Sequence, residues 1–132
     1  MSSLPEADAD DSGTSVAELR SLMRQFVDER NWNHFHTPKN LAMSLAIEAG
    51  ELMEHFQWLT PEASKAIADD PAKRAAAGEE LADVLCYLLA LANQLGLDVS
   101  QTMRAKMVKN RSKYPVSEAG TKWTTDSAAD NA

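Results

Sequence analysis

The chain has 132 residues, 44% of them hydrophobic, enough for a single domain with a real core. Aromatic residues make up only 6%, while Ala, Leu and Met are plentiful, which favours helix over sheet. The formal charge of −7 sits mainly at the ends: without Glu6, Asp8, Asp10, Asp11, Asp126 and Asp130, fourteen acids face thirteen bases.

The longest strictly apolar run, residues 84–92, is far short of the ~20 residues a bilayer requires, so no membrane is expected as a partner, and no nucleic acid either. The first residues are acidic and lack a basic-then-apolar pattern, so a cytoplasmic protein is expected. The single cysteine, Cys86, excludes an intrachain disulfide and lies in an apolar run, as a small core residue would.

In chain order, residues 1–13 are small, acidic and turn-rich and read as a disordered tail. Ser15 with Glu18 forms a capping-box pattern that opens a first helix, with Leu19, Leu22, Met23, Phe26 and Val27 on its buried face, ending near Arg30. A polar and aromatic loop follows, up to Thr37-Pro38, a cap with proline at the first helical position. Residues 41–59 read as the second helix. Thr60-Pro61-Glu62 opens a short third, ending by Asp69-Asp70-Pro71. A fourth runs from Pro71 to Leu95, closed by Gly96. Its second half is apolar on nearly every side and should be the most buried segment. Asp98 or Ser100 caps a last helix reaching about Lys113, before Tyr114-Pro115. The expectation is an all-α bundle of four to five helices over residues 14–115, followed by a largely disordered tail at 116–132.

Two stretches depart from plain core helix. With Leu41 set at zero and about 100° per residue, Leu45, Leu52, Phe56 and Leu59 fall within roughly 60° of it, yet Glu48 lands at about −20°. Glu51 lands on the flank of this stripe. A carboxylate centred on an apolar stripe is costly unless a cation or donor meets it. On the fourth helix, Glu80, Asp83, Tyr87 and Gln94 form one polar strip on an otherwise apolar surface. Glu48 and Glu51, like Glu80 and Asp83, are spaced i, i+3, one turn apart on one helix side. If the short third helix turns the chain back, the four carboxylates converge. Together they would repel one another unless a divalent cation sits among them, and hard oxygen ligands suit Mg²⁺ or Mn²⁺. A di-iron site would add a Glu-x-x-His motif, and none occurs.

EAGE at 48–51, followed by ELAD at 80–83, with the blocks NW at 31–32, FQWL at 56–59 and KNRSKYP at 109–115, resembles the MazG-like branch of the all-α nucleoside triphosphate pyrophosphohydrolases, and most of all its dCTP-cleaving members. The likeness spans about residues 19–115. It implies that Glu48, Glu51, Glu80 and Asp83 bind Mg²⁺, which holds the triphosphate, with Glu48 or Glu51 serving the attacking water. It further implies that Trp32 and Trp58 enclose the base and that Tyr87 lies near sugar or base. His36, Lys39 and Asn40 become base or phosphate contacts, and Lys106, Lys109, Asn110, Lys113 and Tyr114 approach phosphates or close the pocket. Animal members carry a histidine about nine residues before the tryptophan; here that position is Met23. The same chemistry on dUTP or a broad dNTP range, or a non-catalytic helical interaction module, are the alternatives. The apolar fourth helix and the resemblance both imply a homo-oligomer, a dimer or a dimer-of-dimers tetramer.

Overall fold

A computed structural model of the chain describes residues 9–116. It contains five α-helices, and no strand occurs among the described residues. The chain divides after Leu97 into two compact units. The first holds helices α1 (Val16–Glu29), α2 (Pro38–Glu54), α3 (Pro61–Ala66) and α4 (Pro71–Leu95), with a single 3-10 turn at Ile67–Asp69. The second holds α5 (Val99–Lys113). The tail expected beyond residue 116, Trp123 included, lies outside the described residues, as do residues 1–8.

Each helix starts where a side-chain cap satisfies its free amides. Ser15 and Glu18 bond reciprocally, a complete capping box. Thr37 and Thr60 accept from Asn40 N and Ala63 N, each followed by proline at the first turn. Asp70 and Asp98 do the same for α4 and α5. At the end of α4, Gly96 adopts φ +64, and Leu97 N donates to Ala92 O while Gly96 N donates to Asn93 O. This is a Schellman closure that a residue with a Cβ would strain.

The second helix is shorter than its apolar period implies. It stops at Glu54, and residues 55–59 form tight turns instead. His55 N and Phe56 N reach back three residues, to Leu52 O and Met53 O, and Leu59 N reaches Phe56 O. The chain tightens into this 3-10 geometry ahead of the extended Thr60 cap. Trp58 therefore stands in a turn rather than on the helix.

The core of the first unit lies between antiparallel α2 and α4, with α1 packed on the C-terminal half of α4. Their register is visible at three levels. Glu48 meets Glu80 and Asp83; Phe56 and Leu52 share a groove with Arg74, Ala77 and Gly78; His36, just before α2, shares a cleft with Ala90, Asn93 and Gln94. Leu41, only 2% exposed, and Leu89 are buried, with Val27, Ile67 and small alanines. The apolar half of α4 is less covered than its composition implies. Leu81, Leu85, Leu88 and Leu95 remain exposed, Leu81 at 58%, because the other three helices of this unit leave that side of α4 uncovered.

Leu41→Ala should cost about 2–5 kcal/mol of unfolding free energy, since it removes a fully buried side chain and leaves a cavity. Urea denaturation of the variant beside the parent checks this.

Candidate active site

The carboxylates on the two central helices meet as their spacing implies. One oxygen each from Glu48, Glu80 and Asp83 lie within 4.8 Å of one another. Glu48 and Glu80 are half-buried, and one carboxylate oxygen of each, Oε2, is buried with no hydrogen-bond partner. Glu51 is exposed and stands beside Glu48 and Glu80, outside that tight set.

Like charges so close resist ionisation. A hydrogen bond shared with Glu51, then burial, then the charges of Glu51, Asp83 and Glu80 push the Glu48 carboxyl up to about 7. Burial first, then the Glu51 charge, also raises Glu80. Two buried, orphaned carboxylate oxygens cost free energy unless a donor or cation satisfies them. An all-oxygen donor set with no histidine or cysteine fits a hard divalent cation, so the residues present suit a metal of that class.

A second feature lies up the same face of α4. Asp83, Tyr87 and Gln94 recur along it, and Tyr87 is half-buried one turn beyond Asp83. The strip leads to a cleft of about 140 Å³ lined by Met23, Arg24, Asn33, His36, Asn93 and Gln94, among others. The wall facing α4 is the loop after α1. Asn31, at φ 53, takes the left-handed conformation that Asn tolerates best among non-glycine residues, and it turns the chain so that Trp32 N donates back to Val27 O. Trp32 is 41% exposed, packs edge-on against Phe26, and lies nearly parallel to the His36 ring at 6.2 Å. His36 is half-buried, its Nδ1 is buried without a partner, and burial lowers its pKa, which favours the neutral ring. Lys39 and Asn40 begin α2. The Asn40 side-chain amide donates to Phe35 O, tying the loop to the helix.

Trp58 is 87% exposed, in the turn beyond the other end of α2. The first unit thus brings Glu48, Glu51, Glu80 and Asp83 together, places Tyr87 next to them, and groups Trp32 with His36; it does not bring Trp58 to Trp32. In the second unit, Lys106, Lys109, Asn110 and Lys113 lie on one face of α5, within about 100° on the helical wheel. Tyr114 follows, its ring 5.3 Å from Lys113 Nζ.

Sequence reasoning did not identify Arg20, Arg24 and Asn93. Arg20 Nε and an Arg24 amino group both donate to Asn93 Oδ1, at 3.0 and 3.2 Å, and Asn93 Nδ2 donates back to Arg20 O. The only local signal was a pair of arginines at i, i+4; their partner lies about seventy residues away in sequence.

An all-α unit whose two central antiparallel helices bring three carboxylates together defines a class of helical proteins with an acidic centre that could hold a divalent cation. The sequence matches the MazG-like family over residues 43–126, and the chain belongs to that family. It is 44% identical over 105 residues to dCTP pyrophosphatase 1 of Bos taurus, covering 80% of this chain and 62% of that protein. With dCTP pyrophosphatase 1 of Homo sapiens it shares 43% identity over 101 residues, 76% of this chain and 59% of the relative. The chain thus matches about three fifths of the length of these relatives. A crystal structure of a pyrophosphatase from Archaeoglobus fulgidus aligns with a TM-score of 0.69 at 40% identity, covering 75% of this chain and 91% of that one.

The raised carboxyls fix a pH dependence. A group whose pKa is higher in the folded state stabilises the fold below its unfolded pKa, and that stability is lost as pH rises through the folded value. Metal-free protein should therefore lose thermal stability between about pH 4.5 and 7 through Glu48, with Glu80 acting in the same direction. Scanning calorimetry should show that a divalent cation raises Tm more at pH 8 than at pH 5, and that Glu48→Gln weakens the dependence.

Proposed function

We propose that the protein is a Mg²⁺-dependent nucleoside triphosphate pyrophosphohydrolase. It cleaves dCTP or a related modified dNTP between the α and β phosphates, releasing the monophosphate and pyrophosphate, and so cleanses the nucleotide pool of the cytoplasm. The observation that carries this reading is the convergence of Glu48, Glu80 and Asp83, with orphaned oxygens on the two glutamates, in a chain whose relatives are named dCTP pyrophosphatases.

On this reading Glu48, Glu51, Glu80 and Asp83 hold Mg²⁺, with Mn²⁺ as a substitute. When bound, the ion neutralises phosphate charge and lowers the pKa of a coordinated water. Glu48 or Glu51 orients the attacking water and takes its proton; Glu51, beside the tight set rather than within it, has the freer carboxylate. No covalent nucleophile is required. Trp32, His36 and Tyr87 form the base and sugar wall, with Lys39 and Asn40 at its edge. The α5 face bearing Lys106, Lys109, Asn110 and Lys113, with Tyr114, is a phosphate-binding surface. Trp58 offers a second stacking ring.

The exposed leucines of α4 support a homodimer or a dimer-of-dimers tetramer, because an apolar stripe of this length is normally covered. Light scattering should give a mass of at least two chains; a monomer would contradict this.

Pyrophosphate release should be measured over a dNTP panel with Mg²⁺ and with Mn²⁺. dCTP or a C5-modified analogue should be preferred, and Glu48→Gln or Asp83→Asn should each lower kcat/KM by at least ~100-fold. Preferred cleavage of dUTP, or a flat profile, would move the substrate to the alternative assignment. If no triphosphate were cleaved, the carboxylates would instead belong to an interaction module.

A further inference from the structure

The cleft between α1 and α4 carries polar groups that the packing of these helices does not use up. Asn93 already joins the two helices through Arg20: Arg20 Nε donates to Asn93 Oδ1, and Asn93 Nδ2 donates back to Arg20 O. Arg24 adds one longer bond to the same oxygen, at 3.2 Å, and lines the cleft. A guanidinium has five N–H donors, and the others of Arg24 find no partner among the described residues. One turn on, Asp28 lines the same cleft; one of its oxygens accepts from Asn33 Nδ2 at 2.7 Å and the other is open. Opposite charges four residues apart on a helix commonly pair, yet no ion pair joins Arg24 to Asp28. The guanidinium is held by Asn93 and the carboxylate by Asn33, so donors and an acceptor stay apart along one wall. His36 also lines the cleft, and its Nδ1 is buried without a partner; Met23 brings no N–H or O–H. A hollow with convergent, unsatisfied polar groups is suited to a polar ligand.

Size and position narrow the ligand. A cavity of ~150 Å³ takes a single benzene ring. At about 140 Å³, this cleft has room for one aromatic ring and not for two fused ones. Ala90 and Gln94, on its α4 wall, stand seven and eleven residues beyond Asp83, roughly 10–16 Å along the helix at about 1.5 Å per residue. With the triphosphate at the carboxylates and the sugar beside Tyr87, the base falls at this level. The pairing edge of cytosine shows two adjacent acceptors, O2 and N3, and then the N4 amino donor. Uracil and thymine show acceptor, donor, acceptor. Side chains one helical turn apart are separated by about 5–6 Å, which suits the width of that edge.

We propose that Arg24 and Asp28 read the base: the Arg24 guanidinium donates to O2 and N3 of cytosine, and the Asp28 carboxylate accepts from its N4 amino group. Asn93 is the positioning residue that holds the guanidinium in place. This rests on the reading of the protein as a nucleoside triphosphate pyrophosphohydrolase. A uracil base would turn its N3–H toward an Arg24 N–H and its O4 toward the Asp28 carboxylate. Two contacts then become repulsive, which rejects the wrong base more strongly than a lost contact does. A substituent at C5 lies off this edge and is not read.

The test is kcat/KM for dCTP and for dUTP with Mg²⁺, measured on the full chain and three variants. The parent should prefer dCTP. Arg24→Ala should lower that preference at least ~10-fold, the discrimination one bidentate arginine contact provides. Asp28→Asn, whose amide can donate to O4, should raise kcat/KM for dUTP about 10-fold over the parent, a gain that damage to the fold would not produce. Both positions are exposed, so these two variants should fold as the parent does. Asn93→Ala should lower the preference less than Arg24→Ala does, and should add little to it in the double variant. An unchanged preference in Arg24→Ala or Asp28→Asn would overturn the proposal. So would a loss on both nucleotides by one common factor, which is what a merely structural role predicts. A parent that prefers dUTP would overturn it while leaving the hydrolase reading standing. A parent that cleaves no triphosphate would overturn that reading, and this assignment with it.

Discussion

Mutual repulsion among carboxylates is the constraint on which the rest of the first unit depends. Glu48, Glu80 and Asp83 are held close because α2 and α4 pack antiparallel at one register, and that packing places the half-buried Glu48 and Glu80 where leucine would stabilise the core better. The helices tolerate the conflict because their ends are strongly fixed. Side-chain caps open both, and a left-handed glycine closes α4. Stability invested in capping and in buried residues such as Leu41 and Leu89 offsets the strain of the acidic centre. On the proposed reading a cation would relieve that strain at its source, which would link folding to metal affinity in this unit.

The same long helix joins two kinds of chemistry. Its polar strip carries the carboxylates at mid-length, Tyr87 one turn on, and Gln94 and Asn93 at the cleft. The opposite side of α4 is a leucine stripe that the unit leaves open. One helix therefore carries part of the buried core, the acidic centre and an open leucine stripe, which accounts for a composition apolar on nearly every side but one.

Much of this was legible in the sequence because it is written in local chemistry. Ser15 with Glu18, Thr37-Pro38, Thr60-Pro61, Asp70-Pro71 and Gly96 each place a helix end by their own hydrogen bonds. The wheel position of Glu48 signalled the acidic centre, and the Glu80–Asp83 pair signalled its companions, while Glu51, on the flank, stands beside the tight set and not within it. What was not legible depends on competition or distance. The apolar period ran on through Phe56 and Leu59, so nothing local marked Glu54 as the last helical residue; the 3-10 turns leading into the Thr60 cap decided it. The join of Arg20 and Arg24 to Asn93 is set only when α1 lies on α4. The exposure of Leu81 and Leu88 depends on which surfaces the other helices reach, and composition does not record that.

The loop that carries Trp32 and His36 is tied down at both ends, by the left-handed turn at Asn31 and by the Asn40 amide on Phe35 O. Ring stacking between Trp32 and His36 fixes its middle. Such a wall is preorganised. A ligand docking against it does not have to order the backbone first, so little of its binding free energy is consumed by lost chain entropy. On the proposed reading, discrimination at this wall is a matter of shape and hydrogen-bond matching against a preorganised surface. Substitutions within the loop can retune that surface without disturbing the acidic centre on the helices behind it.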